Sequence, residues 1–364
     1  MRRYALLTTV LLTFAIYEPA HAQASPAVAP TPAAGGETQQ GAPSGTPAPE
    51  KARPVICDSL EKDLFIDLKK VVKAGCTPSA EQLVRLLDNP VGNFVAIPFQ
   101  YDYIEFEGPH TGGKRTVHEL QIMPTFPLGL GSRWNLINRV GLPFLSAPLN
   151  NDLINCFVTS PGGALIDCLD PAAGPPDLFK RTNGFGDIVY VGVAAPRKAI
   201  KIESTGAAVI WGVGGTSTFP TASSYVLGSG KYCLGPTAVV GYLGRTWTFA
   251  VFPQHWWSIA GDSDRADMNL TNIQYFLFWA PPGTDPDAQW RIGMSPNISI
   301  DWESEGDRVT LPIGIGVSRM IALGQLPVNI DVEVEYSVIH PDDKAARTWD
   351  FRLYFVPVIP TFLF

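Results

Sequence analysis

From Asn89 onward, apolar and polar residues alternate with a period of two in twelve segments of roughly 10–16 residues, separated by turn signals. The segments lie near 92–107, 117–131, 134–148, 186–198, 207–221, 231–243, 246–260, 269–280, 288–304, 308–323, 326–340 and 348–364. The alternation is clearest in three of them. In the eleventh, Val328, Ile330, Val332, Val334, Tyr336 and Val338 oppose Asn329, Asp331, Glu333, Glu335 and Ser337. In the ninth, Ile292, Met294, Ile298 and Ile300 oppose Arg291, Ser295, Asn297, Ser299, Asp301 and Glu303, with Trp290 and Trp302 at the two ends. In the tenth, Val309, Leu311, Ile313, Ile315 and Val317 oppose Thr310, Gly314, Gly316 and Ser318. Successive side chains of a strand point to opposite faces, so each segment is a strand with one apolar and one polar side. About ten residues suffice for a tilted strand to cross a bilayer.

A soluble sandwich and a membrane barrel share this alternation and differ only in which face is outside. The connections discriminate between them. Very short turns, Ser132-Arg133, Gly244-Arg245 and Gly324-Gln325, follow even-numbered segments. Connections after odd-numbered segments are mostly longer: 108–116, 149–185, 222–230, 261–268 and 341–347. The joints at 199–206, 281–287 and 305–307 depart from this rule. One trimmed end and one elaborated end are the mark of an outer-membrane barrel. The expected fold is therefore all-β: an antiparallel transmembrane β-barrel of about twelve strands spanning 89–364. The stretch from Thr348 to Phe364 is expected to close it by pairing with the first strand, and Phe362 and Phe364 to act as an assembly signal. Phe364 falls on the lumen parity, so a bulge near Pro357 and Pro360, between Phe355 and Phe362, is expected to turn it outward.

Ahead of the barrel, residues 1–22 have the form of a secretory signal. Arg2 and Arg3 precede an apolar run from Ala5 to Tyr17, and Ala20-His21-Ala22 is an A-x-A cleavage site. Residues 23–52 are rich in Ala, Pro, Gly and Ser, with too little apolar surface to fold, and are expected to be a disordered linker. Residues 53–88 form a short helical segment, periplasmic or a plug of the lumen. Leu60, Leu64, Leu68, Val71 and Val72 share a helix face, Gly75 suits a C-cap, and Thr77-Pro78 restarts a helix. Cys57 and Cys76 bracket this piece, and Cys156 and Cys168 bracket another loop, in a chain expected to reach an oxidising compartment. A continuous helix of about eighteen residues would hold Cys57 and Cys76 roughly 27 Å apart. Either the helix is broken or the cysteines pair differently. Cys233 is expected to be an apolar filler.

Only 17% of the 364 residues are charged, with a formal net charge of −7. There is no basic patch, which excludes a nucleic-acid partner. By strand parity the lumen and its constriction receive Asp102, Glu119, Arg139, Arg291, Asp301, Glu303, Asp331, Glu333, Glu335, Asp350 and Arg352. Carboxylates outnumber guanidiniums in this set. Buried charges must pair, so a mixed ladder around Arg139, Arg291 and Arg352 is expected, and it can also bias a constriction against anions. No enzymatic constellation stands out. His118, His255 and His340 take lipid-facing parity, His110 sits in a loop, and neither G-x-S-x-G nor H-E-x-x-H occurs. The loop GDSDRAD lacks the remaining ligand positions of a calcium motif. No catalytic residue, metal or cofactor is assigned.

Several runs resemble one family in order along 89–364: NPVGNFVAIPFQYDY (89–103), WNLINRVGLPFL (134–145), GFGDIVY (184–190), LGSGKYCLGPTAVV (227–240), HWWSIAGDSDRADMNLTNIQYFL (255–277) and the C-terminal RLYFVPVIPTFLF. They are similar to the outer-membrane transporters called "MetA-pathway of phenol degradation" proteins, which also carry the misplaced label neuromedin U. The resemblance implies an outer-membrane barrel for small or aromatic compounds and carries no catalytic residue across. The expected function is a channel for passive passage of small molecules. The alternative is a structural or sensory barrel with a filled lumen. Expected partners are the bilayer, lipopolysaccharide, the barrel-assembly machinery and a small solute.

Overall fold

The computed structural model describes residues 56–61, 68–79, 82, 94–109, 111–159, 177–281, 290–323 and 326–360. Its barrel has twelve antiparallel staves. They are β1 (Phe94–Ala96 and Phe99–Glu107), β2 (Arg115–Ile122 and Thr125–Leu130), β3 (Trp134–Ala147), β4 (Thr182–Phe185 and Ile188–Pro196), β5 (Ala207–Phe219) and β6 (Lys231–Leu243). They continue as β7 (Trp247–Gly261), β8 (Asn269–Trp279), β9 (Trp290–Met294 and Asn297–Asp301), β10 (Val309–Leu323), β11 (Leu326–Ile339) and β12 (Ala346–Pro360). A three-residue strand, Ile200–Ile202, pairs antiparallel with the start of β5. Each stave pairs with its neighbour in sequence, and β12 pairs back onto β1 through Phe94↔Pro360, Phe99↔Phe355 and Asp102↔Arg352. Closure leaves the sheet without a free edge.

Prolines account for three of the four split staves. Pro98, Pro124 and Pro296 cannot donate to the ladder, yet register continues across them. Around Pro296, Leu277↔Met294 and Gln274↔Asn297 follow one count. The split in β4 is different. Register slips by one between Phe144↔Phe185 and Gly141↔Val189, a bulge at Gly186-Asp187. The bulge expected between Phe355 and Phe362 is not found where the chain is described. β12 holds one register against β1 from Trp349 to Pro360, and its irregularity lies at the other end, between Arg347 and Trp349. The prolines sit where β12 meets the short, split start of β1, so the lost donors are tolerated without an inserted residue. Phe362 and Phe364 lie outside the described residues.

The two faces carry opposite chemistries. Asp102, Glu119, Glu333, Glu335, Asp350 and Arg352 are buried inside, whereas Ile313, Ile315, Val317, Val332, Phe351 and Leu353 are exposed on the outside. A soluble sandwich has the reverse arrangement, and an apolar exterior of this extent calls for lipid. Aromatic side chains mark both edges of the apolar band. Near the short turns lie Trp134 against Trp211, at 5.6 Å between ring centroids, and Trp247 against Trp279, at 6.2 Å. Near the long loops lie Trp257, Trp302 and the Tyr336–Trp349 pair, at 4.7 Å. Trp247 and Trp257 stand ten residues apart on β7 and are 49% and 47% exposed. At about 3.4 Å per residue and a tilt near 40°, they are separated along the axis by roughly 26 Å, close to the height of a membrane-barrel belt.

Before the barrel lie two short helices, α1 (Cys57–Glu61) and α2 (Leu68–Lys73), joined by a Cys57–Cys76 disulfide with Cα atoms 5.6 Å apart. The long-helix objection is thereby resolved, since the helix is broken. Gly75 has φ 78° just past α2, the left-handed cap that only glycine adopts readily. Ser79 and Gln82 form a reciprocal capping box after Pro78, and the Gln82 amide donates to Leu60 O at 2.9 Å. One helix is new. Although strand periodicity dominates the chain after Asn89, α3 (Asn151–Thr159) forms in the connection after β3, capped by Asn150 Oδ1 accepting from Leu153 N.

Placing a cation at the middle of the outer face tests the orientation of the sheet. Ile315→Arg is expected to destabilise the barrel in lipid vesicles by about 2–4 kcal/mol, and Leu323→Arg at the rim by about 0–1 kcal/mol. Equilibrium urea titrations of folding into vesicles measure both.

Candidate functional site

One wall of the lumen, β9 to β12 with β1 and β2, is charged, and the strand registers explain how. Glu119↔Asp102, Asp102↔Arg352 and Arg352↔Glu333 are directly opposed pairs, so four charged side chains form one row across β2, β1, β12 and β11. Glu335↔Asp350 forms the next row toward the long loops. Arg352 Nε bonds Asp102 Oδ1 at 2.5 Å, Nη1 bonds Glu335 Oε1 at 2.7 Å, and Nη2 bonds Asp350 Oδ2 at 3.1 Å. Arg347 reaches Glu335 Oε2 at 2.6 Å and also Asp350. Glu333 accepts from Ser295 N at 2.8 Å and Ser295 Oγ at 2.9 Å. The facing positions of β10 are Gly314 and Gly316 for a steric reason. A Cβ on Gly314 would lie 2.8 Å from Glu333 Oε1, and one on Gly316 would lie 2.9 Å from Glu333 Cβ.

The opposite wall, β3 to β8, is apolar toward its short-turn end, where Ile137, Val191, Val193, Ile210, Val239 and Phe252 pack together inside the barrel. Between the walls is a cavity of about 160 Å³ lined by residues that include Gln100, Gln121, Arg139, Leu145, Asp187, Gln254, Trp256, Asn272 and Tyr354. A second cavity of about 80 Å³ adjoins it toward the long loops, sharing Leu270 and Asn297 and lined further out by Asp301, Arg308 and Lys344.

The long-loop mouth is capped. Leu149 and Ile154, from the connection containing α3, and Val226 and Leu227, from a 3₁₀ turn in the β5–β6 loop, pack onto Ile104, Phe106, Val117 and Leu145 of the barrel interior. The β4 bulge aims Asp187 at this loop. Its Oδ2 accepts from Ser229 N at 2.6 Å and Ser229 Oγ at 2.8 Å, and its Oδ1 accepts from Ala222 N at 3.1 Å. Arg265 lies 3.3 Å over the Tyr225 ring and donates to Tyr225 O. Lys231 Nζ pairs with Asp267 at 3.1 Å, and the ammonium holds that carboxyl below the usual carboxylate range. The pair therefore persists through neutral pH and is lost only as acid protonates Asp267.

Most lumen candidates from the sequence fall on the inner face, and they do not form a single ladder. Asp102, Glu119, Asp331, Glu333, Glu335, Asp350, Arg291 and Arg352 line the charged wall, with Arg291 Nη2 donating to Ser318 Oγ at 3.3 Å. Arg347 joins them, missed because it precedes the expected strand. Arg139 does not join them. It lies across the cavity, its guanidinium 5.6 Å from the Phe252 ring centroid. Glu303 is corrected: it is exposed in the turn after β9, where the strand has ended. Asp301 pairs with Lys344 at 3.4 Å at the loop rim. Asp187 was also missed. Its GFGD context carried the signal, two glycines before an inward acid at a strand break.

His255 Nδ1 meets Thr271 Oγ1 at 2.7 Å on the lipid-facing side, and Trp302 Nε1 donates to the same oxygen at 2.8 Å. Acyl transfer also needs oxyanion donors, and the local backbone N–H groups are committed to the β7–β8–β9 ladders. Cys156 on α3 is disulfide-bonded, Cys168 lies outside the described residues, and Cys233 is a buried free thiol.

No family model and no curated protein matches the chain. Among solved structures, an outer-membrane channel from Pseudomonas putida F1 is similar over 73% of this chain and 96% of its own, at 15% identity and a TM-score of 0.49. Outer membrane phospholipase A from Escherichia coli is similar over 74% and 91%, at 13% identity and a TM-score of 0.35. The toluene transporter TbuX from Ralstonia pickettii is similar over 76% and 92%, at 9% identity and a TM-score of 0.30. Scores this low carry no function across.

Removing one member of the charged wall leaves the others buried without compensation. Arg352→Met is expected to lower stability by about 3–5 kcal/mol. Gly314→Ala is expected to cost about 1–3 kcal/mol through overpacking against Glu333. Urea titration in vesicles or detergent measures both.

Proposed function

We propose that this protein is an outer-membrane channel for passive passage of small molecules, closed at its long-loop mouth in the conformation described. The observation that carries this reading is the pair of adjoining cavities inside a closed barrel whose exterior is built for lipid. A barrel with only a structural role has no need of a lumen with space between a charged and an apolar wall. The signal at 1–22 fits export to that membrane, and the motif resemblance to the phenol-degradation transporters adds small or aromatic compounds as solutes. Lipopolysaccharide and the barrel-assembly machinery are the partners that such a location brings.

In this reading Asp102, Glu119, Asp331, Glu333, Glu335 and Asp350 face three guanidiniums, Arg291, Arg347 and Arg352, and form a constriction that disfavours small inorganic anions. The 220–230 loop is the gate and Asp187 its latch. A second reading, a filled barrel without transport, draws support from the fully buried ion pairs on the charged wall.

Planar-bilayer recording separates the two. The channel reading expects discrete steps with a reversal potential favouring K⁺ over Cl⁻, and Glu119→Gln is expected to reduce that preference. Asp187→Ala removes three hydrogen bonds to a carboxylate, each contributing about 1.5–3 kcal/mol, and is expected to raise open probability at least tenfold. A folded barrel that never conducts, with or without the latch, establishes the second reading instead.

A further inference from the structure

We propose that the cavity between the two walls is a binding site for a small organic carboxylate, with its anionic end on Arg139 and its hydrocarbon body on the apolar wall. The proposal rests on the channel reading and names a ligand of the cavity held on Arg139, across from the carboxylate-rich wall.

Arg139 differs from Arg347 and Arg352, the two arginines of the seam cluster. Arg352 engages three carboxylates and Arg347 two, whereas among the described residues no carboxylate oxygen lies within ion-pair distance of the Arg139 guanidinium, which rests near Phe252. Arg139 is half-buried inside the barrel. A lumen guanidinium without a counter-ion gains from a bound carboxylate, which supplies both the charge and a matching two-oxygen acceptor. Asp187, an acid in the same lining, is turned to Ser229 and Ala222 and makes no ion pair with Arg139. A second polar group also points into this space. Trp256 is over nine-tenths buried, lines the cavity, and its Nε1–H has no acceptor among the described residues. A guanidinium and an indole N–H, both donors without acceptors, form a site for an anion rather than for a cation.

Size and lining select which anion. A cavity of about 160 Å³ is close to the roughly 150 Å³ that holds one benzene ring. Leu145, Val189, Val191 and Met268 line it, and an inorganic anion would leave that apolar surface unused. The amides of Gln121 and Gln254 can hydrogen-bond a carboxylate without adding charge. Toward the long loops, the adjoining cavity carries Arg308 and Lys344 beside Asp301, so an anion entering from that side meets cations first.

Isothermal titration of the full-length protein in detergent micelles, with benzoate, benzyl alcohol and benzylamine as probes, tests the site. Benzoate is expected to bind at least tenfold more tightly than either isostere. Arg139→Gln is expected to weaken benzoate at least tenfold while leaving benzyl alcohol within twofold, and Trp256→Phe to weaken benzoate several-fold. Arg139→Lys, which keeps the charge, is expected to fall between wild type and Arg139→Gln. Heat-modifiable electrophoretic mobility verifies the fold of each variant. If Arg139→Gln fails that control, the wild-type probe series and Trp256→Phe still decide. Equal binding of benzoate and benzyl alcohol, or no benzoate binding by folded wild type, overturns the proposal. Conductance of the same preparation distinguishes the two failures. A barrel that conducts K⁺ but ignores benzoate refutes the carboxylate site alone, and one that binds benzoate but never conducts refutes the channel reading and keeps the site.

Discussion

A barrel made of one chain must join its last strand to its first, and here that seam is secured by a buried ion cluster. Arg352 on β12 binds Asp102 on β1 across the seam, Asp350 on its own stave, and Glu335 on β11. Backbone ladders alone specify pairing but not register, and a slip of one residue would exchange every lumen side chain for a lipid-facing one. Such a slip would place Arg352, Asp102 and Glu335 in hydrocarbon. The cluster therefore favours a single register at the seam, and the rest of the inside-out arrangement follows from it.

That seam also makes the lumen asymmetric. The staves near it concentrate charge, the staves away from it present aliphatic side chains, and the cavity lies where the two meet. Gly314 and Gly316 show how closely the charged wall is fitted, since even a methyl group there would crowd Glu333. The capped mouth has a different basis. Its apolar contacts come from loops, and one carboxylate turned inward by a bulge, Asp187, binds the β5–β6 loop, so the cap is held by side chains and not by the ladders.

The strands, their number and the two ends of the barrel were legible because period-two patterning and turn lengths are local signals. Val328 to Val338 read as a membrane strand with no partner in view. The lumen faces of Asp102, Glu333 and Arg352 followed from the same parity. What escaped was whatever depends on a break in that parity or on distant packing. Asp187 is aimed by a bulge, Glu303 lies two residues past a strand end, and Arg347 sits beside an irregularity in β12. α3 went unseen because its apolar side, with Leu153 and Ile154, needs the barrel mouth to pack against. The isolation of Arg139 was also illegible, since parity places it in the lumen but cannot say which wall it faces or what stands opposite.

The central claim is the inside-out barrel, and site-directed spin labelling along β7 tests it most directly. Single cysteines at successive positions from Trp247 to Trp257, in a Cys233→Ala background, would be labelled in lipid vesicles and their collision rate with dissolved oxygen measured. The account predicts a period of two, with Phe249, Val251 and Trp257 lipid-accessible and Thr248, Ala250 and Phe252 protected. A flat profile, or one with the even positions in lipid, would contradict it.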